Sequence, residues 1–88
     1  MGDVPMTQYL IMSRSLTRAQ RAARLLERSG ISASVVKAPQ GLSSKGCGYA
    51  VSVRRRFLEA AVLLRRYELL DGKLFQRDED GGYREVTA

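Results

Sequence analysis

Two stripes of small apolar residues at helical spacing constrain this chain more than any other feature. Ala19, Ala22, Ala23 and Leu26 form the first. Phe57, Ala60, Ala61, Leu64 and Tyr67 form the second, widened by Leu58, Val62 and Leu63. Both recur with the three-to-four spacing of one helix face. Alanines on such a face let a helix sit close against a sheet, so each stripe asks for a β-layer beneath it. The first helix opens near Ser15, where Thr17 with Gln20 three residues later fits a capping box. Ser29-Gly30 ends it, because glycine accepts the left-handed conformation after a last turn. The second helix spans 57–70 and is stopped by Asp71-Gly72.

Short β-compatible runs flank both helices. They are Thr7 to Ser13, Ile31 to Ala38, Gly48 to Val53 and Lys73 to Arg77. In the second run Ala33, Val35 and Lys37 share one face; in the third, Tyr49, Val51 and Val53 do. Asp80-Gly81-Gly82 is a turn signal, so Tyr83 to Val86 is expected to fold back as a C-terminal hairpin strand. The order β-α-β-β-α-β predicts an α+β, ferredoxin-like fold: one antiparallel sheet with two helices on one face. With 88 residues there is material for one domain and one core. The expected division is a disordered leader over 1–6 and a single domain over 7–88.

Composition excludes more chemistry than it suggests. The chain has no histidine. Ser-His-Asp triads, Cys-His dyads and histidine metal sites are therefore out of reach. Its one cysteine cannot form an internal disulfide, which favours a reducing, cytoplasmic setting, and no cofactor or metal is called for. No apolar run reaches the roughly 18 residues that span a bilayer. The start of the chain also lacks a secretory or myristoylation pattern, so no membrane partner is expected. The net charge of +6 is uneven, with +8 over residues 1–56 and −2 over residues 57–88. A basic half suits an anion, an acidic partner or nucleic acid, or simply serves solubility. Arg18, Arg21, Arg24 and Arg28 fall within about a third of the first helix's circumference.

Chemistry concentrates at Lys45-Gly46-Cys47-Gly48-Tyr49, where a Pro-, Gly- and Ser-containing loop turns into the third strand. Glycines on both sides leave the Cys47 sulfur accessible and allow close backbone approach. In a ferredoxin-like sheet the first and third strands are antiparallel neighbours. Cys47 is then expected beside Ser13-Arg14-Ser15 and the first turn of the first helix. That turn offers free N–H groups and the positive end of the helix dipole. Arg14, Arg18 and Lys45 add positive charge, and Thr17 holds the helix whose end faces the sulfur. Such surroundings lower a thiol's pKa. With no histidine as base, Cys47 would work through its own acidity, as a sulfur that accepts and donates. The alternative for a lone cysteine is a small buried hydrophobe.

The chain resembles a bacterial family of small domains described as putative selenium/sulfur carrier-like. The likeness covers roughly residues 9–76. It is carried by Ser13-Arg14-Ser15-Leu16-Thr17, the segment Ala22 to Gly30-Ile31, Ala38-Pro39, and Gly46-Cys47-Gly48-Tyr49-Ala50. The resemblance implies a carrier, not a free-standing enzyme, that holds sulfur or selenium on Cys47 as a persulfide or selenide. Its implied partners are a cysteine desulfurase-type donor and an acceptor enzyme. Arg54-Arg55-Arg56 and the acidic tail have no counterpart in the family pattern.

Two other readings compete. Lys45 to Ser52 also looks like the third-strand signature of RNA-recognition motifs, but Cys47 and Ser52 stand where two stacking aromatics belong and only Tyr49 remains, with Tyr9 as a further platform. A plain interaction module is the other, favoured if Tyr9, Ile11 or Met12 lie exposed on an open sheet face. The carrier reading is preferred to both.

Overall fold

The computed structural model describes residues 8–39, 48–70, 72–78 and 80–86. Five strands and two helices follow in the order β1 (Tyr9–Ser13), α1 (Leu16–Arg28), β2 (Ala33–Lys37), β3 (Tyr49–Val53), α2 (Phe57–Arg66), β4 (Leu74–Arg77) and β5 (Tyr83–Val86). The sheet runs β2-β3-β1-β4-β5, with every neighbouring pair antiparallel. The first four strands give the ferredoxin-like arrangement, and β5 adds the expected hairpin at the β4 edge. Its turn is closed by the Asp78 N–H on the Gly82 carbonyl (2.7 Å), with Gly81 at φ 90°.

Alternation along the strands sorts two apolar layers. Ile11, Ala33, Val51, Val53 and Leu74 face the helices and meet Ala19, Ala22, Leu26, Ala60, Ala61 and Leu64. Burying each large aliphatic side chain in this layer contributes about 1.5–3 kcal/mol. The opposite face of the sheet carries Leu10, Met12, Ala50 and Phe75, also buried, against Val36, Ala38 and Tyr83. Ile11 and Met12 are therefore not an exposed dimerisation surface.

Both alanine stripes lie where the spacing puts them, but the helix ends and the width of the second stripe differ from expectation. Ser15, not Thr17, caps α1: its Oγ accepts the Arg18 N–H at 3.2 Å. The chain turns two residues earlier than the Thr17–Gln20 box requires, and Thr17 is an exposed first-turn residue. At the other end Ile31 N–H donates to Leu26 O (2.8 Å) and Gly30 N–H to Glu27 O (3.1 Å), with Gly30 at φ 85°. This is the paired bonding of a Schellman end, and it takes Ile31 out of β2.

The second helix stops at Arg66, short of 70. Glu68 adopts φ 59° and Leu69 N–H reaches back to Leu64 O at 2.8 Å. No glycine marks this end, so sequence punctuation could not place it. Of the expected α2 stripe, Phe57, Ala60, Ala61 and Leu64 are buried. Leu58, Val62 and Tyr67 are not, at 64%, 52% and 58% exposure. One sheet covers one side of α2, and these three lie beyond its reach.

Candidate functional site

The site begins with register. In the β1–β3 ladder Tyr49 stands opposite Ser13, and in the β2–β3 ladder it stands opposite Lys37. Just before it, the Gly48 carbonyl accepts the Ala38 N–H at 2.6 Å. The start of β3 is thus fixed between the end of β2 and the end of β1. The chain leaves β1 at Ser13 and caps α1 two residues later. This corner is where the topology was expected to bring the third strand's beginning to the first helix.

Cys47, Lys45 and Gly46 lie outside the described residues; Cys47 is joined directly to Gly48. The other expected site residues can be placed. Arg14 is exposed in the two-residue link between β1 and α1. Ser15 is that helix's cap and its hydroxyl oxygen is engaged. Thr17 is exposed in the first turn. The Arg18 guanidinium is tied across the helix layer, with Nη2 donating to the Glu68 carbonyl at 2.6 Å. Of the amides that open α1, that of Arg18 goes to Ser15 Oγ and that of Ala19 to Ser15 O. Those of Leu16 and Thr17 have no partner among the described residues. Among the described residues nothing caps these two amides at the positive end of α1.

Ser13 is a residue that sequence reasoning named only as a neighbour. It is 5% exposed, and its Oγ is buried with no hydrogen-bond partner among the described residues. Its signal in the sequence was present: a hydroxyl at the inward-facing parity of an otherwise apolar strand, after Tyr9 and Ile11.

The far end of the same strand pair is different. Tyr9 stacks on Phe57 with ring centroids 4.1 Å apart and planes 7° apart. These rings, with Arg54, Leu58, Gln76 and Val86, line an open groove of about 760 Å³. Tyr49 also packs toward the helix-side core. Both tyrosines that base stacking would need therefore face the helix layer. The helix-free face presents buried Leu10, Met12, Ala50 and Phe75 in their place. Arg21, Arg24 and Arg28 are exposed on α1, on the helix side. No described helix is long and apolar enough to cross a membrane.

Fold and corner together define a ferredoxin-like α+β domain whose third strand starts beside the N-terminal end of its first helix. The chain belongs to the family described as putative Se/S carrier protein-like, whose profile matches residues 8–72. Comparison with curated proteins and with solved structures returns no match.

Proposed function

We propose that this domain carries sulfane sulfur or selenium on Cys47 and passes it between two partner enzymes. Family membership supports the reading, and so does one observation of the fold. The Ser13–Tyr49 register, with Gly48 bonded to Ala38, ties the residue after Cys47 to the corner where α1 begins. A helix N-terminus whose first amides have no partner among the described residues favours negative charge nearby, which is the charge of a thiolate or persulfide.

The transfer needs no outside oxidant. The Cys47 thiolate attacks the terminal sulfur of a donor persulfide. A new S–S bond forms, the donor's S–S bond breaks, and the donor leaves as a thiolate. Attack by an acceptor thiolate on the terminal sulfur of Cys47 persulfide reverses the sequence on the next enzyme. Selenium in the terminal position follows the same electron count. The donor is of the cysteine desulfurase type. The reducing cytoplasm is the compartment this assigns, since it keeps a single cysteine free between transfers.

The test is anaerobic incubation with a cysteine desulfurase and cysteine, followed by intact mass and by alkylation of the thiol across pH. A gain of one sulfur on the wild-type chain, absent in Cys47→Ser, is expected, with alkylation midpoint below the ordinary cysteine value of about 8.5. A thiol that titrates at its ordinary value and gains no sulfur would overturn the proposal.

A further inference from the structure

A buried hydroxyl without a partner is unusual in a native fold and destabilises it, because the group has given up water for nothing. Ser13 Oγ is such a group. It sits at the last position of β1, on the inward parity set by Tyr9 and Ile11, which pack in the helix-side layer. The chain then runs through Arg14 directly into the α1 cap, so the hydroxyl lies on the side of the sheet from which α1's first turn rises. That turn keeps the Leu16 and Thr17 amides without partners among the described residues. A helix of 13 residues presents there the positive end of its dipole. One buried hydroxyl and two amides, none with an acceptor among the described residues, lie at the turn from β1 into α1.

We infer that Ser13 Oγ and the Leu16 and Thr17 amides form a seat for a small, singly charged chalcogen anion, of the hydrosulfide or hydroselenide kind. The choice of sulfur or selenium rests on the proposed carrier function; the need for an anion rests on the donors alone. A compact anion suits the place better than a phosphate, whose several oxygens need more donors and more room than one sealed hydroxyl provides. Tyr49 stands opposite Ser13 in the ladder and is half-buried. The anion has two sources: free chalcogenide, or the terminal atom of a loaded carrier. In either case Ser13 acts as a positioning donor, and the polar group is kept at a cost to the stability of the empty protein.

The experiment follows backbone amide resonances in two anaerobic arms. In the first, the Cys47→Ser chain is titrated with sodium hydrosulfide, with sodium chloride as control. In the second, the wild-type chain is compared before and after loading to the persulfide, with intact mass reporting the loading. The expected result is a shift of the Leu16 and Thr17 amides in one arm or both, saturating with hydrosulfide where the first arm responds and larger than with chloride. Ser13→Ala should weaken the response at least tenfold, and Ser13→Thr should restore it. Without anion, Ser13→Ala should melt higher by about 4 °C or more, as relief of an unpartnered hydroxyl predicts. Unmoved amides in both arms, an equal response in Ser13→Ala, or a lower melting temperature for Ser13→Ala would overturn the inference. Loading seen by mass with the amides unmoved in both arms removes the seat and leaves the carrier. Failure to load with a saturating hydrosulfide response does the reverse.

Discussion

The Arg18 guanidinium donates to the backbone carbonyl of Glu68 at 2.6 Å, tying the first turn of α1 to the residue that ends α2. A second bond runs the other way at the opposite end of the pair, from Arg56 Nη1 to the Gly30 carbonyl at 3.2 Å. Each arginine near the start of one helix thus holds the left-handed residue that closes the other. The two helices are antiparallel, and each bond gives a donor to the carbonyl just past the other helix's C-cap.

Gly30 and Glu68 do the same job with unequal ease. A left-handed conformation costs a residue with a Cβ about 1–2 kcal/mol, and glycine avoids this. Glu68→Gly should therefore raise stability by about 1 kcal/mol, with the Arg18 bond intact because its acceptor is main chain. Gly30→Ala should lower it by about 1 kcal/mol. Urea unfolding of both variants checks the pair, and a loss of stability in Glu68→Gly would contradict the strain.

Leu58 and Leu64 sit on one helix, six residues apart, and should respond very differently to truncation. Leu64 is fully buried, and Leu64→Ala should cost about 2–5 kcal/mol. Leu58 is mostly exposed, and Leu58→Ala should stay within about 0.5 kcal/mol. Thermal melts of the two variants decide whether the second stripe is as narrow as the structure has it.

Gly72 has no room for a side chain. A Cβ there would run into the carbonyl of Met12, which is backbone and cannot swing away. Met12 is further fixed by its N–H on the Lys73 carbonyl at 2.9 Å. Gly72→Ala should cost about 1–3 kcal/mol by overpacking, measurable by denaturant unfolding. Gly81→Ala meets nothing within 4 Å; any cost there comes from its φ of 90° alone.

Glu59 accepts two bonds from Arg56, Nε to Oε1 at 2.9 Å and Nη2 to Oε2 at 3.0 Å. These hydrogen bonds, and then the charge of the guanidinium, hold the Glu59 carboxyl below its ordinary range. A carboxyl depressed in the folded state stabilises above its unfolded pKa and loses that contribution as pH falls through the folded one. Arg56 is shifted upward by the same bonds and stays charged throughout. The wild-type chain should therefore lose an advantage over Glu59→Gln on acidification below the ordinary carboxylate range, and hold it at neutral pH. Melting temperatures of the two chains across that range test it. Both groups are solvent-exposed, so added salt should shrink the difference.

The candidate site was legible in outline. Strand order alone predicted that the start of β3 would meet the end of β1, and Tyr49 opposite Ser13 bears this out. The burial of Ser13's hydroxyl was not legible, because a serine after an apolar run reads equally well as the start of a loop. Nor was the engagement of Arg18. Its spacing with Arg21, Arg24 and Arg28 marks a basic face, yet Glu68, its acceptor, is 50 residues away in the chain.

Local patterns determined the elements: two alanine stripes, four short β runs, the Ser29-Gly30 stop and the Asp80-Gly81-Gly82 turn. Each rests on interactions within a few residues, and together they specified the α+β order. Only the tertiary structure decided where α2 ends, which of its leucines are covered, and that Tyr9 and Tyr49 turn toward the helices. Those outcomes depend on surfaces that meet only when the sheet has formed, since burial belongs to a pair of packed faces and a sequence states one face at a time.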